Sequence, residues 1–245
     1  MNRRTLPVSL FVIPILALPA CGDRATPGGD AASTEYPKEV LAAHMRDHFY
    51  KVTEMQVAVI NADLQSLREP AQWMTEHANS AAMPAQWMAH IGAMREAARE
   101  AVEAESVEKA ARATARVAAA CGACHQALAA EVGFEVEEPP PEGGNVASHM
   151  GRHAWAAGRM WEGMVVPSGV IWDGGAEALA EAPLAPAQLE ADLEVLAEVS
   201  RMETDVHALG AEALGVTSQQ QRAELYGRFL QTCASCHQMT GRGKI

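Results

Sequence analysis

The same five-residue pattern, Cys-x-x-Cys-His, closes two stretches of this chain: Cys121-Gly-Ala-Cys124-His125 and Cys233-Ala-Ser-Cys236-His237. Each is preceded by a second shared pattern, His44-Met45-x-x-His48 in the first stretch and His149-Met150-x-x-His153 in the second. Other positions agree as well. Met55 pairs with Met160 at the same offset, Pro84-Ala85-Gln86 resembles Pro186-Ala187-Gln188, and Arg116 stands five residues before Cys121 just as Arg228 stands five before Cys233. A chain that repeats itself meets the same packing problem twice, so two like units in tandem are expected.

The closing pattern carries specific chemistry. Two thiols one helical turn apart can form thioether bonds to both vinyl groups of one porphyrin, while the adjacent imidazole reaches the iron. Cys-x-x-Cys-His is therefore the attachment signal for covalent haem c, and two haems per chain are expected, with His125 and His237 as proximal iron ligands. Two other uses of such cysteines exist. A thioredoxin-type dithiol sits beside a βαβ pattern, which this sequence lacks, and a zinc site normally draws four ligands from two closely spaced pairs.

The N-terminus reads as an export signal. Arg3 and Arg4 precede an apolar run from Leu10 to Leu18, and Leu18-Pro19-Ala20 leads into Cys21. This is the layout of a secretory signal over residues 1–20. The Leu-x-Ala-Cys end resembles the lipobox of bacterial lipoproteins, which makes Cys21 the expected lipidated residue and a periplasm-facing anchor the expected location. Gly22 carries no Asp-type retention signal, so the outer membrane is the expected site; a soluble periplasmic form is the alternative if Cys21 is spared. The apolar run is short and broken by Pro7, Pro14 and Pro19, which disfavours a spanning helix. Residues 21–36, rich in Gly, Ala, Thr and Asp, read as a flexible tether.

With Cys21 assigned to lipid and four cysteines to haem, none of the 5 remains for a disulfide. The formal net charge of -12 argues against nucleic acid or anionic lipid as a partner. Partners are expected to be redox proteins, possessing a basic docking patch if the charge is used in recognition.

The rest is dense in Ala, Glu, Met, Leu, Gln and Arg, with no convincing strand, so an all-α fold is expected. Helices are predicted over 37–68, 71–80, 85–103 and 106–130 in unit 1 (residues 37–133). Residues 134–144, rich in Pro, Gly and Glu, form the linker. Unit 2 (residues 145–245) is predicted to have helices over 145–165, 174–181, 186–213 and 217–239. Four helices joined by short connections suit an antiparallel four-helix bundle, so the expected architecture is two such bundles in tandem, each with a haem c on its last helix.

A haem motif on the last helix, with His and Met candidates on the first, resembles the cytochrome c prime family and its low-spin four-helix-bundle relatives. The resemblance covers both units and rests on Cys121, Cys124, His125, Cys233, Cys236 and His237. It implies electron transfer where the iron has two protein ligands, or binding of small gases such as nitric oxide or carbon monoxide where the distal side is open. Single-unit members of the family often pair, so a monomer or weak dimer is expected for the tandem. The fused repeat and the histidines on the first helix depart from the single-unit pattern.

For the distal position, His48 and His153 are favoured, because Met55 and Met160 seven residues on share their helix face and could pack against haem. Met45 and Met150 come second, because low-spin relatives use a Met on the first helix. His44 and His149 come third. The alternative is a polar, sulfur-rich packing layer beneath five-coordinate irons. Arg116 and Arg228 are possible partners of haem propionates or plain solvated side chains. His77, His90 and His207 fall outside the repeat and read as surface or capping residues. Trp73, Trp87, Trp155, Trp161 and Trp172 read as packing. The expected function is one-electron transfer between proteins rather than catalysis. Gas binding is the first rival, and a dihaem peroxidase, which would need a nearby acid or base, is the second.

Overall fold

The computed structural model describes residues 38–77 and 84–241; the signal segment, the tether and Cys21 lie outside the described residues. Eight α-helices make up this part: α1 (Lys38–Ile60), α2 (Leu64–Glu76), α3 (Met88–Val102), α4 (Val107–Ala127), α5 (Val146–Val165), α6 (Gly169–Leu179), α7 (Leu196–Ala213) and α8 (Gln219–Thr240). Single 3-10 turns occupy Ala85–Trp87 and Pro186–Gln188. Among the described residues there is no strand, as the composition predicts.

Short polar caps set where the helices begin. Asp63 accepts the backbone N–H groups of Gln65 and Ser66 at the start of α2, and Ser106, Asn145, Ser168 and Ser218 do the same for α4, α5, α6 and α8. Each satisfies an amide that the helix cannot pair internally, which is worth about 1 kcal/mol. Gly241 ends α8 in the left-handed region at φ 63°, where a side chain would be strained.

Three boundaries differ from the sequence expectation. The helix predicted from 174 begins at Gly169, where the Ser168 side chain caps it. The predicted break at Pro70 is a helix interior, and the chain turns instead at Asn61–Asp63, with Ala62 at φ 54°. The Asp63 cap fixes this start, while Pro70 removes only one N–H and is buried within α2. The long helix predicted from 186 to 213 is interrupted: one 3-10 turn precedes Glu190 at φ 48°, and α7 resumes at Leu196.

Within the first half α1 packs on α2 and α4, α2 on α3, and α3 on α4; within the second, α5 packs on α6 and α8, α6 on α7, and α7 on α8. Antiparallel directions follow from contacts such as His77 at the end of α2 meeting His44 near the start of α1. Helices α4 and α8 lie against each other and join the halves, aided by α4 against α5 and α1 against α8. One apolar core therefore runs through both, with Met55, Met74, Met160, Trp161, Met164, Trp172 and Phe229 almost wholly buried in it. Truncating either buried Trp to Ala would cost about 3–5 kcal/mol.

Tyr226 shows how tightly the halves interlock. Its hydroxyl, fully buried on α8, donates to the Ala157 carbonyl of α5 at 2.8 Å and accepts from Gln56 Nε2 of α1 at 2.5 Å. A buried polar chain is thereby satisfied without water. On the same seam, Gly227 admits the Arg112 backbone, whose Cα would lie 3.2 Å from an added Cβ.

Candidate functional site

Both Cys-x-x-Cys-His segments sit in the last turns of the paired helices α4 and α8. All four cysteines are partly exposed and form no disulfide. Burial, with the neighbouring cysteine adding to it, pushes the Cys121 and Cys233 thiols up to about 12. Cys124 and Cys236 are raised by burial too. Redox-active dithiols need the opposite, a depressed pKa that supplies thiolate, so these pairs are poorly suited to disulfide exchange.

The adjacent histidines are held across the joint between the halves. His125 Nδ1 lies 2.8 Å from the carbonyl oxygen of Val165 at the end of α5, and His237 Nδ1 lies 3.1 Å from that of Ile60 at the end of α1. Ile60 and Val165 occupy matching positions of the repeat, so each half orients the other's histidine. A carbonyl can only accept; Nδ1 must therefore carry the proton, and Nε2 keeps a lone pair available for a metal. Burial lowers the His237 pKa, partly offset by its bond to Ile60. Gly122 sits beneath the same α5 terminus, where an added Cβ would collide with the Met164 carbonyl and the Gln219 amide.

The repeated His-x-x-x-His pairs each join a larger group. In the first half His44, His48 and His77 come together, half-buried, with His77 Nε2 3.3 Å from His44 Nδ1. Trp73 stacks on the His77 ring at 3.8 Å between centroids and meets the His48 ring edge-on at 5.3 Å. His48 Nε2 is buried without a hydrogen-bond partner. Burial, together with His44, His77 and Arg95, lowers the His48 pKa to about 3, so the ring is neutral at any physiological pH.

In the second half His149, His153 and His207 surround Glu203, and all four residues are buried. Glu203 Oε1 lies 2.6 Å from His149 Nε2 and 3.1 Å from His207 Nε2, and it accepts the Leu184 backbone N–H at 3.1 Å. His207 Nε2 lies 3.3 Å from His153 Nε2 and 3.4 Å from His149 Nε2. Burial alone would raise the Glu203 pKa, yet the bonds from both histidines and Leu184 outweigh it and hold the carboxylate well below its usual range. Burial lowers His153 to about 3 against the opposing pull of Glu203; His149, His207 and His237 add to the lowering. The charge of His237 thus registers at His153, and that of Glu203 at Cys233 and Cys236, which brings this cluster into the electrostatic neighbourhood of the second Cys-x-x-Cys-His segment.

The remaining expected site residues are spread out. Met55 and Met160 are core residues with essentially no exposure, while Met45 and Met150 are half-buried. Arg116 pairs with Glu100 at 2.5 Å and Arg228 with Glu212 at 2.8 Å, a repeat-matched exposed bridge between neighbouring helices. Of the histidines read as surface or capping residues, His207 is neither, being only 6% exposed. His77 does cap α2 through its backbone, while its ring joins the first cluster. The four-residue spacing of Glu203 and His207, mirroring the histidine pairs, was the one signal available for them. His90 joins neither cluster.

No protein-family model, curated protein or solved structure matches this chain.

Proposed function

We propose that the protein is an exported, lipid-anchored dihaem c-type cytochrome that passes single electrons between protein partners. Each half is read as an antiparallel four-helix bundle, with the tandem joined through α4 and α8. The observation that carries the proposal is the reciprocal pair of bonds from His125 Nδ1 to Val165 and from His237 Nδ1 to Ile60. Each motif histidine already has the tautomer and fixed ring that a proximal iron ligand requires.

The residues fit the group in two further respects. Unpaired thiols stand beside each of those histidines, and their raised pKa values disfavour the redox-dithiol alternative. His48 Nε2 is buried without a hydrogen-bond partner, so no protein group competes for it as a distal ligand. His48 and its repeat-mate His153 remain the favoured distal ligands, and burial keeps both neutral, the form that coordinates.

Haem c supplies a one-electron iron couple. The chain's part is to hold one imidazole firmly on each proximal side, to exclude water through the Met-rich core, and to present an acidic surface to partners. Among the described residues no helix is long and apolar enough to cross a membrane, and residues 1–21 supply the export and anchoring signals in this reading. The test is the visible spectrum of the purified protein, oxidised and reduced, with and without carbon monoxide. Low-spin spectra indifferent to carbon monoxide are expected. A high-spin, carbon-monoxide-reactive haem would move the reading to gas binding or peroxidase chemistry.

A further inference from the structure

The second cluster contains more than a distal ligand needs. Two helices each contribute a pair spaced by four residues, His149 and His153 from α5 and Glu203 and His207 from α7, so each pair projects from one helix face. Their ligand atoms all lie within 4.8 Å of one another. Hydrogen bonding alone satisfies this arrangement badly. His207 Nε2 stands 3.1 Å from Glu203 Oε1, 3.3 Å from His153 Nε2 and 3.4 Å from His149 Nε2, yet a ring nitrogen has one proton or one lone pair to give. Burial removes water as a way to relieve the conflict.

A central cation would satisfy all of these atoms at once. With bonds of about 2.0–2.1 Å, tetrahedral ligands stand about 3.3–3.4 Å apart. Three of the four measured separations lie between 3.1 and 3.4 Å. The fourth, 2.6 Å between His149 and Glu203, is a hydrogen bond that would open as a metal replaces its proton. Leu184 holds the carboxylate oxygen in place from the backbone, as an outer-shell donor does in metal sites.

We propose that His149, His207 and Glu203 form a site for one divalent transition-metal ion of the zinc type, separate from haem, with His153 as fourth ligand whenever haem iron does not take it. Imidazole and carboxylate donors suit zinc, and the single carboxylate offsets part of its charge. The first half's counterpart, His44, His48 and His77, is half-buried and offers three imidazoles with no carboxylate to offset a cation's charge. The proposal stands on the cluster itself and does not require the haem reading.

The experiment uses the full lipidated protein in detergent, stripped with a chelator and then titrated with zinc chloride against a chromophoric competitor. One zinc per chain is expected. His207→Ala and Glu203→Gln should each weaken affinity at least about tenfold, while His77→Ala leaves it unchanged. Wild-type affinity equal to that of both variants overturns the proposal, and so does equal loss in His77→Ala. If the variants fail to fold by circular dichroism, X-ray absorption at the zinc edge of the wild type decides. A shell of nitrogen and oxygen with at least two imidazoles supports the site; a sulfur shell, placing zinc on the cysteines, refutes it. Counting haem per chain in the same samples keeps the two readings apart. Two haems without zinc sink this inference alone, and zinc without haem sinks only the cytochrome.

Discussion

The first half gathers His44, His48 and His77 beside Trp73, and the second gathers His149, His153 and His207 around Glu203. The pair common to both comes from the repeat, on α1 and α5. The third histidine does not: it is the last-turn cap of α2 in one half and lies on α7 in the other. The two histidine–carbonyl arrangements thus match, down to the repeat-related positions of Ile60 and Val165, while the histidine clusters of the two halves differ. One cluster is half-buried and aromatic, and its acidic influence is Asp47, acting on His44 from a distance; its counterpart is sealed and holds an ionised carboxylate. Two haems in such surroundings would differ in potential, because a buried negative charge favours oxidised iron.

The largest expected break of this comparison is Glu203→Gln. It leaves buried imidazoles without their charged acceptor and should cost about 3 kcal/mol or more in denaturant unfolding. His77→Ala in the first half should cost only about 1 kcal/mol, because its cluster is half-exposed. Equal losses would mean that the carboxylate does not distinguish the halves.

Next comes the joint. At Gly122 a methyl group would strike the Met164 carbonyl, whereas the equivalent residue in the other motif is already the buried Ala234. Gly122→Ala should destabilise by about 1–3 kcal/mol through overpacking. Ala234→Gly should cost nearer 1 kcal/mol, from helix propensity. A reversed order in thermal melts would contradict the packing described for α4 and α5.

Acid should weaken both halves. His48 and His153 have folded pKa values near 3 against 6.5 when unfolded, so in that interval the unfolded chain binds more protons. Their contribution is complete above about pH 6.5 and is lost as pH falls toward 3. Urea midpoints measured across this window should decline with acid, and His48→Gln should flatten the profile. The smallest effect is expected at Arg116→Ala and Arg228→Ala. Both break exposed bridges to Glu100 and Glu212 and should cost under about 1 kcal/mol each by urea unfolding.

Much of this was legible from residue pattern. The all-helical class follows from composition, and the caps Ser106, Asn145 and Ser218 stand at or beside the predicted helix starts, whereas α6 begins after Ser168, ahead of the expected start at 174. The turn at Asn61–Asp63 was hidden because Pro70 is the stronger breaker on paper, yet a single lost N–H is tolerable and the Asp63 cap is local and strong. The motif residues and the paired histidines were visible because they repeat. His77, Glu203 and His207 were obscure for the opposite reason: they come from non-equivalent helices, and only three-dimensional packing brings them to the repeated pair. The bonds of His125 and His237 to the other half are likewise a property of the joint, which no local pattern encodes.

The central claim is that both Cys-x-x-Cys-His segments carry covalent haem on histidines already oriented for iron. Mass spectrometry of proteolytic peptides from the purified protein tests it most directly. Peptides spanning residues 121–125 and 233–237 should each carry one haem and resist thiol alkylation, whereas two unmodified peptides with alkylatable cysteines would contradict the account.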